Sequence, residues 1–190
     1  SLSKALRKLG YVDKCKLYSE INSYSQQTYN ENFPETKLIE DIKSIDKKDI
    51  DQMIPDHDIL LAGFPCQPFS RAGISKRKNL KRAYGFEDKD QGDLFFNILD
   101  ILNTKKPSAF ILENVQNLKN HQGGKLLNKI LKELRKNYYV PEPQVLDAQN
   151  FGLAQRRKRI FIVGFLNFNG DFKFPNSTNK KTKVKDFLAL

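Results

Sequence analysis

The order of hydrophobic and polar residues along the chain predicts helices and strands that alternate. Leucines at helical spacing in "SLSKALRKLG" predict a helix that ends at Gly10, a residue type that favours the position after a helix. "KCKLYSE" alternates like a short strand, and "SYSQQTYNENF" predicts a helix with Ser23 near its N-cap. The later segments predict a strand over residues 58–62, a helix in "DLFFNILDIL", a strand in "SAFILEN", a helix in "KLLNKILKELRKN", and strands in "PQVLDA" and "RIFIVGF".

This alternation predicts an α/β fold with a doubly wound, mostly parallel sheet joined by right-handed crossovers. Such sheets bind nucleotide-like cofactors with a Gly-rich turn after one strand and an acidic residue about 20 positions later. Glu20 follows the predicted strand "KCKLYS" and has the place of that acid. The Gly-rich turn would then precede Ser1, so we expect the chain to begin inside the first helix of the fold. Alone, Glu20 could equally be an ordinary exposed acid.

Composition narrows the class of protein. The chain has 190 residues, enough for one domain with a hydrophobic core, and no apolar run approaches the roughly 20 residues of a membrane span. Its two cysteines, Cys15 and Cys66, suggest neither a disulfide framework nor a metal site and favour an intracellular setting. The net charge of +11 favours a polyanionic partner such as nucleic acid, with a Lys-rich solvated surface as the alternative.

The stretch "LAGFPCQPFS" places Cys66 between Pro65 and Pro68, directly after an apolar run. Proline lacks a backbone N–H and fixes φ, so the strand ends there and a stiff loop begins. Loops at the carboxyl ends of strands hold the ligand sites of open α/β sheets. Six cations follow in "RAGISKRKNLKR", and nearby positive charge favours the nucleophilic thiolate. A free cysteine is more often a small buried apolar residue, so both interpretations of Cys66 stay open here.

Two further segments place charge at strand ends. "ILENV" ends a buried strand at Glu113, where desolvation would let the carboxyl group hold a proton, unless the residue only caps the next helix. In "QRRKRIFIVG", period-two alternation puts Arg157 and Arg159 on one face of a strand and Arg156 and Lys158 on the other. One pair could reach into a site while the other stays solvated. The alternative is a basic strand edge that deters aggregation.

The segments "GFPCQPFS", "ENV" and "QRRKRIFIVG", in this order and at this spacing, resemble the cytosine-5 DNA methyltransferase family of bacterial restriction-modification systems. The resemblance also covers "YSEIN", "EDI", "GFED" and "GDLFF", and so extends over essentially the whole chain. It implies a Rossmann-like fold that uses S-adenosyl-L-methionine and no metal. It also implies that the substrate is a cytosine flipped out of double-stranded DNA, because a stacked base hides the ring atoms that react.

The resemblance assigns roles to four residues. Cys66 would add to ring carbon 6 and make carbon 5 nucleophilic enough to take a methyl group from S-adenosyl-L-methionine. Glu113 would donate a hydrogen bond or proton at ring nitrogen 3, and Arg159 would contact the cytosine carbonyl. Arg157 would support the loop and the thiolate. A water-derived base would then remove the carbon 5 proton, and Cys66 would leave.

The resemblance also assigns binding residues. For the cofactor these are Glu20 at the ribose, Ile21 on the adenine, Asp41 and Ile42 at the adenine edge, and Pro65 and Leu94, which complete the pocket. Gln67 and Ser70 lie on the loop expected to close over DNA. The cationic segment 71–82 would meet phosphates and add affinity without sequence information.

Two parts of the family pattern are missing from residues 1–190. They are the Phe- and Gly-rich cofactor loop at the front and, after "VKDFLAL", the target-recognition region with its closing motif. We therefore expect a single catalytic-domain fragment, truncated at both ends, that alone binds cofactor weakly and methylates little. It would belong to a longer protein or to a split enzyme with a complementing chain. Its expected location is the bacterial cytoplasm, in association with the nucleoid.

Three other functions are compatible with parts of the sequence. A tRNA cytosine-5 methyltransferase typically shows a doubled proline and a threonine around its cysteine, whereas here Phe64 precedes Pro65 and Ser70 closes the motif. A catalytically incompetent nucleic-acid-binding fragment would have no need to keep Cys66, Glu113 and both arginines. A dehydrogenase would need a GxGxxG turn, and the sequence contains none. The sequence therefore favours the DNA methyltransferase.

Overall fold

The computed structural model describes residues 2–12, 14–64 and 93–178, together with residues 182, 183 and 186. The chain divides into two compact units, Ser1–His57 and Asp58–Leu190. The expectation of a single catalytic domain over residues 1–190 stays a prediction. Across the described residues, no helix combines the length and the apolar character needed to cross a bilayer.

The first unit contains two short parallel strands and three helices. Their bounds are α1 Leu2–Lys8, β1 Leu17–Ser19, α2 Ser23–Asn32, β2 Lys37–Ile39 and α3 Ile50–Met53, with 3₁₀ turns at Ile42–Ser44 and Lys47–Asp49. β1 pairs with β2 in parallel, and Leu17 lies opposite Lys37. The sequence pattern did not predict β2, because three residues of which only Ile39 is buried carry almost no periodicity.

The ends of the helices in this unit test the capping predictions. Gly10 has a φ of 81°, and the backbone N–H groups of Gly10 and Tyr11 donate to the carbonyls of Arg7 and Leu6. This is a Schellman motif, and it confirms the predicted role of Gly10. The start of α2 is also confirmed: Ser23 is the first helical residue, directly after the N-cap Asn22, whose side chain accepts from Ser25 N at 3.0 Å.

In the described residues of the second unit, a four-stranded sheet is accompanied by two helices. Its elements are β3 Ile59–Gly63, α4 Asp93–Lys105, β4 Ala109–Val115, α5 Lys125–Leu134, β5 Gln144–Asp147 and β6 Lys158–Phe165, with 3₁₀ segments at Gln116–Gly124 and Ala148–Phe151. The strand order is β3-β4-β6-β5. β3 pairs with β4 in parallel, whereas β6 runs antiparallel to both β4 and β5.

The mostly parallel sheet is thereby confirmed with one correction. β3, β4 and β5 run in the same direction, and β6 is inserted between β4 and β5 in the opposite direction. The chain therefore passes from β5 to β6 by a local reversal and not by the expected right-handed crossover. An apolar strand pattern gives the faces of a strand but not its direction, so the sequence held no signal for this reversal.

The core of the second unit lies on one face of the sheet. β4 alternates between fully buried and half-buried positions, with Phe110, Leu112 and Asn114 on the buried side. Helix α5 contributes the apolar stripe that the sequence predicted, and all of it is buried: Leu126, Leu127, Ile130, Leu131 and Leu134. Glu113 therefore projects from the sheet face opposite this core, where a side chain can meet a ligand.

Candidate active site

Glu113 meets two arginines at the carboxyl end of β4. Arg159 Nε donates to Glu113 Oε1 at 2.7 Å, and an Nη2 atom of Arg157 lies 3.9 Å from the same oxygen. In the antiparallel pairing Glu113 faces Phe161, so Arg159 lies on the same face of β6, and Arg157, just before β6, contacts Glu113 from that face too. The predicted alternation is therefore confirmed, and it brings together three of the four residues to which a catalytic role was assigned.

The charge of this cluster is net positive, since two guanidinium groups surround one carboxylate. Glu113 is 32% exposed, Arg159 26% and Arg157 50%, so the cluster is open to a ligand. The desolvation predicted for Glu113 is thus incomplete, because its neighbour on β3 is Gly63, which has no side chain to cover it. Arg159 Nη1 also donates to the carbonyl of Lys158 at 2.9 Å, which helps to fix the guanidinium.

Gly63 is a part of the site that the sequence analysis missed. It pairs with Glu113 in the parallel register, and a Cβ at position 63 would lie 3.3 Å from Glu113 Oε2. The absence of a side chain here leaves room for the carboxylate. The signal was present in "LLAG", but the role depends on strand register, which the local sequence does not reveal.

The segment that follows Gly63 carries several predicted site residues. Phe64 is buried and lies 6.0 Å from Phe95, measured between ring centroids. Pro65, Cys66, Gln67 and Ser70 lie outside the described residues, as does the cationic segment 71–82. Their assigned roles stay predictions. In sequence, Cys66 comes three residues after the glycine that faces Glu113.

Asp147 stabilises the turn that leads to Arg157. The sequence did not predict this role for Asp147. Its buried Oδ1 accepts hydrogen bonds from Arg157 N at 3.0 Å and Gln149 N at 3.4 Å. Ala148 N donates to the carbonyl of Arg157 at 3.1 Å. These bonds hold the backbone of Arg157 against the end of β5. The available signal was an acid directly after the apolar run "QVL".

The predicted cofactor residues of the first unit gather at one edge. Because β1 and β2 are parallel and in register, Glu20 and Ile21 leave β1 beside Asp41 and Ile42, which follow β2. Glu20 Oε1 accepts from Asn22 N at 2.8 Å, and Asp41 Oδ1 accepts from Lys43 N at 2.9 Å. Ile21 is 75% exposed. This edge combines two oriented carboxylates with an uncovered apolar side chain.

Leu94, the remaining cofactor candidate, belongs to the second unit. It lies in the first turn of α4 and packs in part against the hydrophobic core. Within the described residues its contacts are therefore those of a core side chain. Its assignment to a cofactor pocket stays a prediction.

Solved structures share this fold. A prophage-encoded DNA modification methyltransferase of E. coli superposes with a TM-score of 0.73 at 22% identity, covering 97% of this chain and 50% of that chain. The S. pombe Dnmt2 methyltransferase superposes with a TM-score of 0.68 at 21% identity, covering 100% of this chain and 56% of that one. At these identities the likeness shows the fold alone, and that fold is the Rossmann-like fold of methyltransferases.

Sequence comparison is more specific. Residues 2–189 match the model of the C-5 cytosine-specific DNA methylase family, so the chain belongs to that family. The type II methyltransferase M.NlaX of Neisseria lactamica is 47% identical over 175 residues, which are 92% of this chain and 52% of M.NlaX. A DNA-cytosine methyltransferase of Escherichia coli K12 is 40% identical over 187 residues, covering 84% of this chain and 39% of that protein. The chain thus spans about half the length, or less, of these curated relatives.

Proposed function

We propose that this chain supplies the catalytic core of a DNA cytosine-5 methyltransferase, which transfers a methyl group from S-adenosyl-L-methionine to carbon 5 of a flipped-out cytosine in double-stranded DNA. The observation that carries the proposal is the cluster of Glu113, Arg157 and Arg159 at the end of β4, beside the strand that leads to Cys66. The family match supports the choice of DNA as substrate. A cytoplasmic, nucleoid-associated location would follow from this function.

The polar cluster suits the Watson–Crick edge of cytosine. Nitrogen 3 and the carbonyl oxygen of the ring are bonded to the same carbon, so two neighbouring protein groups can bind them together. Arg159 uses one N–H on Glu113 and one on the carbonyl of Lys158, out of the five that a guanidinium carries. Further donors can therefore bind the ring carbonyl, while Glu113, which must first take up a proton, would donate a hydrogen bond to nitrogen 3. These contacts would stabilise the charge that develops on the ring during attack.

The reaction would begin when the Cys66 thiolate forms a bond to carbon 6 of the ring. The electron pair displaced by that attack would make carbon 5 nucleophilic, and carbon 5 would take the methyl group as the sulfur–methyl bond of S-adenosyl-L-methionine breaks and S-adenosylhomocysteine leaves. A base, water-derived in our proposal, then removes the proton from carbon 5, the ring double bond re-forms, and the bond to the Cys66 sulfur breaks. Arg157 lies next to Glu113, and we assign it to support of the thiolate and its loop.

Residues of the first unit fit the cofactor. S-adenosyl-L-methionine supplies an electrophilic methyl group when it is bound. The Glu20 carboxylate, oriented by the N–H of Asn22, would accept hydrogen bonds from ribose hydroxyls. The exposed Ile21 would pack on the adenine ring, and Asp41 with Ile42 would contact the adenine edge. Pro65 and Leu94 complete the proposed set.

A covalent trap tests the proposal with the complete gene product. DNA with 5-fluorocytosine at the target cannot lose a carbon 5 proton, so the wild-type protein should form a stable adduct and Cys66→Ser should form none. With ordinary duplex DNA, Glu113→Gln should lower methyl transfer about 10²- to 10⁴-fold. Residues 1–190 alone, assayed in parallel, test the prediction of weak activity for this chain.

A matched control is Glu142→Gln, which breaks another 2.7 Å carboxylate–guanidinium pair, with Arg135, at an exposed site. We expect its methyl transfer to stay within twofold of wild type. Absence of both adduct and methyl transfer with duplex DNA would overturn the proposal. Methyl transfer to tRNA instead of DNA would establish the alternative substrate.

A further inference from the structure

A groove lies on the sheet face opposite the Glu113 cluster. It is built by the end of β5, the turn that follows, the first residues of β6 and the residue after β4, and it has a volume of about 390 Å³. The residues that line it are Gln116, Val145, Asp147, Gln149, Asn150, Arg156 and Lys158. Arg156 and Lys158 are the cations that alternate with Arg157 and Arg159 along the chain. β6 therefore sends basic side chains to both of its faces.

The groove has a net positive charge. Within the part of the chain that the structure describes, neither Arg156 nor Lys158 forms an ion pair, although Lys158 is the register partner of Asp147. The Asp147 carboxylate is occupied by the backbone N–H groups of Gln149 and Arg157. These two hydrogen bonds partly offset the negative charge of Asp147. Two cations and three side-chain amides face the groove.

The lining also indicates what the groove does not bind. Proteins hold unstacked bases on aromatic side chains, and the lining of this groove includes no aromatic residue. Cations and side-chain amides are instead the groups that contact phosphate oxygens of a nucleic-acid backbone. An acidic protein segment would meet the same charges, but nucleic acid is also the substrate proposed for the opposite face of the same strand.

We propose that this groove binds a phosphodiester group of the DNA backbone close to the nucleotide held at Glu113. The inference rests on the proposed function and adds a contact to it. Residues 156–159 reach both places because alternate side chains leave opposite faces of the extended chain, so a DNA strand that passes around the start of β6 can contact the cluster and the groove together. Arg156 and Lys158 supply the charge, and Gln149 and Asn150 supply amide donors at the rim.

The rim of the groove is held in place by the chain that follows β6. The carbonyl of Asn150 accepts three hydrogen bonds, from Thr178 N at 3.0 Å, Thr178 Oγ1 at 3.1 Å and Ser177 Oγ at 3.2 Å. Together with the hydrogen bonds to Asp147, these contacts hold the turn at both Asp147 and Asn150. A preformed rim reduces the ordering cost of binding a charged group.

The test compares Arg156→Gln/Lys158→Gln with wild type in the complete gene product. Loss of one phosphate contact should reduce the slope of log K against log salt by about 0.9 and weaken duplex DNA binding at least several-fold. KM for DNA should rise by a similar factor, while kcat and the affinity for S-adenosyl-L-methionine stay unchanged. The control Lys129→Gln/Lys132→Gln removes two exposed cations from α5 and should leave the slope unchanged.

The outcomes separate the two proposals. If wild type neither binds nor methylates DNA, the proposed function fails and the groove assignment fails with it. If wild type methylates DNA and the groove variant shows the wild-type salt slope, affinity and KM, the groove assignment alone is overturned. A reduced slope in the groove variant but not in the α5 control supports the phosphate site. Circular dichroism of each variant verifies that the fold is intact.

Discussion

Gly164 leaves room for the Phe110 ring to pack against the backbone of β6, and its replacement by alanine should destabilise the protein. Gly164 on β6 lies opposite Phe110 on β4, and the Phe110 ring covers it. An added Cβ would lie 2.2 Å from both Cε1 and Cζ of that ring. Ordinary carbon contacts are about 3.5–4.0 Å, so the ring or the strand must move by more than about 1 Å.

The size of the effect follows from the surroundings of the ring. Phe110 is fully buried and packs edge-on against Tyr138, with ring centroids 5.0 Å apart. Overpacking a core costs about 1–3 kcal/mol, and loss of an aromatic pair costs about 0.5–1.5 kcal/mol. Alanine regains about 0.5–1 kcal/mol because it restricts the unfolded chain. We expect Gly164→Ala to lower the free energy of unfolding by about 2–3 kcal/mol and Tm by about 4–12 °C.

Thermal and urea unfolding, followed by far-ultraviolet circular dichroism, measure this change. Gly170→Ala is the control, since its Cβ would meet the Phe168 ring, which is partly exposed and lies outside the hydrophobic core. A second control, Phe110→Leu/Gly164→Ala, should lose less stability than the sum of its single changes, because the smaller side chain relieves the clash. A loss below about 0.5 kcal/mol for Gly164→Ala would refute the reasoning.

Three further predictions follow from the described contacts. Gly63→Ala should lower kcat for methyl transfer about 3- to 10-fold with little change in Tm, because its Cβ pushes Glu113 Oε2 from 3.3 Å; an unchanged kcat contradicts this. Burial lowers the pKa of His121 below 6.5, so the unfolded chain takes up the proton first. Stability should therefore fall as pH drops below about 6.5, and His121→Gln should flatten that dependence in melts across pH; an equally steep profile contradicts it. Asp147→Ala should cost about 1–3 kcal/mol in urea unfolding, and Asp147→Asn, which keeps an acceptor, should cost less; equal losses contradict this.

The sequence predicted those elements whose pattern is long and strong. α5 has five apolar positions on one stripe, and all five are buried. β2 escaped prediction because its three residues belong to no alternating run, unlike those of the equally short β1, and the direction of β6 escaped because the hydrophobic pattern of a strand does not give its direction. The start of α2 was predicted because Asn22, the N-cap, and Ser23, the first helical residue, both belong to residue types that favour this end of a helix.

The residues of the candidate site also divide into those that the sequence predicted and those that it did not. Arg157 and Arg159 could be assigned to one face because period two is a local property, and Glu113 could be placed at a strand end because an apolar run stops there. Gly63 and Asp147 could not be assigned, because their roles arise from pairing between residues distant in sequence. The roles of Cys66 and its neighbours stay predictions.

The alternation along β6 has a consequence for how the strand selects its alignment. All four residues 156–159 are basic, so a slip by one position would still bring cations to Glu113 and to the groove. The basic residues 156–159 therefore do not determine the register of the strand. The apolar residues do, because a slip would turn Ile160 and Ile162 out of the core. The register of β6 is therefore set by its aliphatic residues. The basic residues can change, and their ligand contacts can change with them, without altering the strand pairing.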